Sequence, residues 1–97
     1  MYQLLIRQRA ANMTIEAYHW YEEQQTGRGW LFLQALDSFY EKLLITPNAY
    51  SKVKRNFRQT KLPGYPYLII FEIQHTTVII FNVFHTSRNP KEKFKKE

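Results

Sequence analysis

Lys52, Lys54, Asn56 and Arg58 recur at every second position, with Val53 and Phe57 between them. On an extended chain that period puts the polar side chains on one face as a basic ridge. Further on, His85 and Arg88 stand at the end of the last apolar stretch. Metal-free cleavage of RNA needs a group to take the 2′-OH proton, cations to stabilise charge developing on phosphate, and a donor for the leaving 5′ oxygen. Histidine changes charge near neutral pH, so His85 has the chemistry for acid or base, and Lys54, Arg58 and Arg88 have the charge. Blander readings exist for each. An imidazole ending an apolar strand can pack or hydrogen-bond locally, and alternation by itself places polar residues on a solvated sheet face. Glu72, the acid within the apolar stretches, suits a base less well than a partner for a ridge cation.

Other chemistries are excluded or disfavoured. The chain has no Cys, which rules out disulfides, Cys-ligated zinc and thiol catalysis and agrees with a reducing, cytosolic setting. His19, His75 and His85 lack metal-ligand spacing, so no metal is expected, and no motif implies a cofactor. Gly27 and Gly29 follow no strand and read as a helix-turn device, not a phosphate loop. Trp20, Tyr21 and Trp30 could stack bases, but at helical spacing beside other apolar residues they are expected in the core.

The formal charge is +6, and it is unevenly spread. Residues 1–50 carry four cations against five acids, and residues 51–97 carry ten cations against three. The positive field thus belongs to the second half, which suggests a polyanionic target or an acidic partner. A chain of 97 residues is expected to form one domain, with residues 88–97 as a basic tail. The opening residues are too short for a signal h-region, and no uncharged apolar stretch approaches the ~20 residues of a membrane span.

These residues must be positioned by a small set of elements. Tyr2 to Arg9 alternates weakly and reads as a first strand. Asn12 or Thr14 can cap a helix over about 15–25 whose spaced residues are Ile15, Tyr18 and Tyr21, with Ala17 and Trp20 offset and Glu16, Glu22 and Glu23 outward. Thr26-Gly27-Arg28-Gly29 breaks it. A second helix over about 30–45 carries the stripe Phe32, Leu36, Phe39 and Leu43, and Thr46-Pro47-Asn48 stops it. So short a turn makes the two an antiparallel hairpin. The basic ridge follows as one strand. Leu62-Pro63-Gly64-Tyr65-Pro66 is a turn, and Gln74 to Thr77 is the tip of a final hairpin whose strands show almost no polar alternation. Strands of that kind are buried on both faces. One helical hairpin covers one face, so the other is expected to need a partner, with Ile70, Ile80 and Phe84 as contacts.

The order β-α-α-β-β-β, with its punctuating residues, resembles the RelE/ParE superfamily of bacterial toxin–antitoxin toxins. The matching pieces are Ala17-Tyr18-His19-Trp20-Tyr21-Glu22, Gly27-Arg28-Gly29, Thr46-Pro47-Asn48, Arg58 ahead of Leu62-Pro63-Gly64-Tyr65-Pro66-Tyr67, and Val83-Phe84-His85-Thr86-Ser87-Arg88-Asn89-Pro90. The resemblance implies an α+β fold with a helical hairpin on a curved antiparallel sheet. It also implies a cognate antitoxin as partner, bound through Ile70, Ile80 and Phe84, and growth arrest when that antitoxin is lost. Two targets are implied by its two branches. RelE-like members cut messenger RNA in the ribosome with strand-borne basic residues, an Arg opening the third strand and a Tyr or His near the C-terminus, whereas ParE-like members resemble inhibitors of DNA gyrase. Here Tyr67 stands where RelE-like members carry Arg, and Phe94 stands near their Tyr. Those departures favour the gyrase branch. On the ribonuclease branch His85, Arg58, Arg88 and Lys54 would be catalytic. On either branch Lys52, Lys54, Arg55, Arg58 and Arg88 would face the target. A plain RNA- or DNA-binding module accounts for the ridge but not for the doubly apolar hairpin.

Overall fold

The computed structural model of the chain describes residues 1–96. Its elements run β1 (Gln3–Ile6), α1 (Gln8–Gln24), α2 (Arg28–Ile45), a 3₁₀ turn (Pro47–Ala49), β2 (Lys52–Lys54), β3 (Phe57–Lys61), β4 (Tyr67–Gln74), β5 (Thr77–His85) and a second 3₁₀ turn (Pro90–Glu92). The strands form one sheet in the order β1-β5-β4-β3-β2. β1 lies parallel to β5, and the other pairings are antiparallel. The architecture is α+β as expected, with the sheet mixed because the α-hairpin carries the chain from β1 across to the far edge.

α2 follows its sequence pattern closely, since Phe32, Leu36, Phe39 and Leu43 are all buried. α1 begins earlier than its candidate caps imply. Asn12 and Thr14 lie inside it, and the Thr14 hydroxyl donates back to the Ala10 carbonyl at 2.8 Å. Helix starts at residue 8 because Ala10, fully buried, packs in the core. Ile15 and Trp20, read as core from their spacing, point outward instead at 55% exposure each, and so does Trp30 at 60%. Glu22, read as outward, closes the helical turn. Its carboxylate accepts the backbone N–H of Gly27 and of Gly29 at 3.0–3.1 Å, satisfying donors that the start of α2 leaves unpaired. The two glycines serve different ends. Gly27 has φ +95°, a left-handed conformation, and a Cβ at Gly29 would sit 2.7 Å from the Tyr18 ring and 2.8 Å from its carbonyl oxygen.

Both faces of the β4–β5 hairpin are buried, as its lack of alternation demands. On the helix side Tyr67, Ile69, Phe71, Val78, Ile80 and Val83 join the core of α1 and α2. On the other side Phe57, Ile70, Ile79, Phe81 and Phe84 form a second cluster with Leu68 and Phe94. The expectation that this second face needs a partner is corrected here: the chain's own residues 88–96 lie across it. Phe94 packs on Phe57 with ring centroids 5.2 Å apart. Lys96 pairs with the buried Glu72 at 3.0 Å, Arg9 holds Glu92, and the Asn82 side-chain amide donates to the Glu92 carbonyl. Ile70 and Phe84 therefore stand at 0% and 3% exposure under the tail, and Ile80, at 0%, belongs to the opposite face beneath the helices. Among the described residues no helix is long and apolar enough to cross a membrane.

Candidate functional site

The basic ridge does not exist as one strand. Arg55 adopts φ 52° and the chain reverses at Arg55-Asn56, so residues 52–61 form two short antiparallel strands. Lys52 pairs opposite Arg58, whereas Lys54 pairs opposite Phe57, with a register shift between them. Directly opposed residues share a face. Lys52 and Arg58 are thus on the side of the helices, and Lys54 is on the side of the tail. The Arg58 guanidinium donates to the Tyr50 carbonyl, tying the connection after α2 to β3.

The cations that do gather are on the tail side, around three rings. Arg7 lies 5.5 Å from the Phe81 centroid, and Arg55 lies 5.6 Å from that of Phe57. Lys54 and Lys93 stand 5.4 and 5.1 Å from Phe94, and Lys96 stands 5.3 Å from both Phe57 and Phe81. Each contact is within the ~6 Å range of attraction between a cation and a ring face. Lys93 and Lys96 escape sequence reasoning because a charged tail with one aromatic reads as solvated, and Arg7 because it stands just after β1, far in sequence from Phe81. The signal that was available is the interleaving Lys93-Phe94-Lys95-Lys96, in which Phe94 docks on Phe57 and brings Lys93 and Lys96 to the rings of this face.

His85 and Arg88 lie elsewhere, at the other end of the sheet. They border a groove of about 560 Å³ whose walls include Met13, Ala17, Trp20 and Tyr21 from α1 and Pro66 and Tyr67 from the start of β4. His85 pairs opposite Tyr67, and their rings meet edge to face at 5.0 Å. Burial pushes the Tyr67 phenol up to about 12, helped by the neighbouring Tyr21 and Glu16, so it is a proton holder at neutral pH. Arg88 is engaged by Glu16 of α1 in an ion pair.

The tautomer of His85 follows from its partners. Its Nδ1 accepts the backbone N–H of Ser87 at 3.1 Å, with the Ser87 hydroxyl 2.7 Å away. A backbone N–H only donates, so Nδ1 is the acceptor and the neutral ring carries its proton on Nε2. In that state the free nitrogen donates. To abstract a proton there, the ring would have to move its own proton to Nδ1 and lose the Ser87 contact.

Of the four candidate catalytic residues, His85 and Arg88 share the groove, and Arg58 and Lys54 lie apart from it. Arg58 pairs opposite Phe71, and His85 opposite Tyr67, four residues earlier on β4; at a rise of ~3.3 Å per residue that is roughly 13 Å along the sheet, and the two also lie on different strands. Lys54 is on the other face, and Arg88 is held by Glu16. Phe94 is on the tail side, away from His85. Among the described residues no group of His, Asp and Glu could hold a metal ion.

Comparison with known proteins agrees with this architecture. Residues 4–90 match the family described as ParE toxin of type II toxin–antitoxin system, parDE. Among solved structures, a chain from the chromosomal ParDE TA system of P. aeruginosa superposes with a TM-score of 0.67 at 18% identity, over 90% of this chain and 98% of that one. No curated protein sequence matches.

Proposed function

This chain belongs to the ParE toxin family of type II toxin–antitoxin systems, and from that premise we propose that it arrests growth by inhibiting DNA gyrase and not by cutting messenger RNA. The observation that carries this reading is the dispersal of the proton-transfer set. General acid–base catalysis requires its groups within hydrogen-bond reach of one substrate, about 2.6–3.2 Å. Here His85 borders the α1 groove with Nδ1 engaged by Ser87, Lys54 is on the opposite face, and Arg58 is turned to a backbone carbonyl. Inhibition of a protein machine asks for no such assembly.

The partner in this reading is a cognate antitoxin acting with the toxin in the cytoplasm, in a hetero-oligomer. An antitoxin segment that took the place of residues 88–96 would meet Ile70 and Phe84, while Ile80 would stay beneath the helices. The target is tested by purified reactions. The protein is expected to block supercoiling of relaxed plasmid by gyrase and to leave ribosome-bound messenger intact, and His85→Ala is expected to retain toxicity. Rapid messenger cleavage on ribosomes, lost in His85→Ala, would overturn the reading.

A further inference from the structure

We infer that the tail-side face binds the phosphate backbone of duplex DNA. Five cations, Arg7, Lys54, Arg55, Lys93 and Lys96, stand 5.1–5.6 Å from the centroids of Phe57, Phe81 and Phe94. Of these, Lys96 has a carboxylate partner in Glu72, and the described carboxylates offer none to the other four. Like charges collected on one face repel one another and raise its potential, which a polyanion relieves.

The chemistry of the face selects the polyanion. A protein partner buries apolar anchors at the centre of its interface. The centre of this face has none to give, because Phe57, Ile70, Ile79, Phe81 and Phe84 are already at 3% exposure or less beneath the tail, and the apolar side chain left open, Leu5, is at the β1 edge. A single strand binds by stacking bases on open aromatic faces. Here the ring faces are occupied by cations. What projects is positive charge held in fixed positions by ring contacts, and phosphate positions along a duplex need only that. The preference for DNA over an RNA duplex rests on the gyrase-directed reading above; the charge arrangement does not.

The test is fluorescence anisotropy of the full chain with a labelled mixed-sequence DNA duplex across a salt series. Four phosphate contacts predict a slope of log K against log salt of about −3.6, roughly a hundredfold loss of affinity between about 50 and about 200 mM salt. Lys54→Gln with Lys93→Gln, whose fold is checked by circular dichroism, should reduce the slope to about −1.8. Affinity independent of salt, or unchanged in the double variant, would overturn the inference. Equal or tighter binding of single-stranded DNA, of an RNA duplex or of polyglutamate at matched charge would also overturn it. Gyrase inhibition is scored separately. Inhibition without DNA binding sinks this inference alone, and DNA binding without inhibition sinks the functional reading alone.

Discussion

Phe94→Ala tests whether residues 88–96 are the cover of the second sheet face. The ring packs on Phe57 at 5.2 Å and is flanked by Lys54 and Lys93. Truncating a fully buried Phe costs about 3–5 kcal/mol. Phe94 is half-buried, so about half of that applies, and the aromatic pair is included in it: roughly 1.5–2.5 kcal/mol. The loss should exceed that of an exposed substitution, which falls within ~0.5 kcal/mol. For a domain of this size it corresponds to a fall in Tm of about 6–20 °C. Urea unfolding followed by circular dichroism measures it, and a dye that reports exposed apolar surface should bind the variant more strongly as Phe57, Phe81 and Phe84 open. A loss below ~0.5 kcal/mol with no gain in dye binding would show that the tail does not cover this face, and the need for an external partner there would return.

Three further outcomes follow from the packing. Gly29→Ala should cost about 1–3 kcal/mol, because its Cβ would meet the Tyr18 ring and backbone at 2.7–2.8 Å; a denaturation midpoint equal to wild type would refute that close approach. Ile80→Asp should abolish folding outright, since the side chain is fully buried in the helix-side core and an unpaired buried charge has no compensation; a folded variant that merely fails to bind an antitoxin would contradict its placement. In alkaline titration the Tyr67 and Tyr40 phenols should ionise late, both raised chiefly by burial. A raised folded value means that their contribution to stability is complete below pH about 10 and is lost as pH rises through the folded value, about 12 for Tyr67. Tyr67→Phe should remove one late step from the tyrosinate absorbance curve, and an unchanged curve would count against its burial.

Local chemistry in the sequence determined much of this architecture. The stripe from Phe32 to Leu43, the breaker at Thr46–Asn48 and the hairpin tip near His75 stand in the structure where periodicity and turn residues put them, and the break at Thr26–Gly29 is shortened because α2 already begins at Arg28; helix period, proline and glycine act over a few residues. The apolar hairpin also announced correctly that both of its faces are buried. What covers the second face was decided only by tertiary structure. Residues 88–96 have one aromatic among charges, too little to signal docking, yet Phe94 meets Phe57 and Lys96 meets Glu72 once the sheet brings them together. The split of the ridge was equally hidden. Alternation from Lys52 to Arg58 fits a continuous strand, and the reversal at Arg55-Asn56 contains no glycine or proline to mark it. Pairing with β4 sets which face Arg58 takes, and a one-residue shift of register moves a side chain to the other face. Lys54 and Arg58 are separated for that reason, and the choice between a nuclease site and a charged binding face turns on a register that only the assembled sheet specifies.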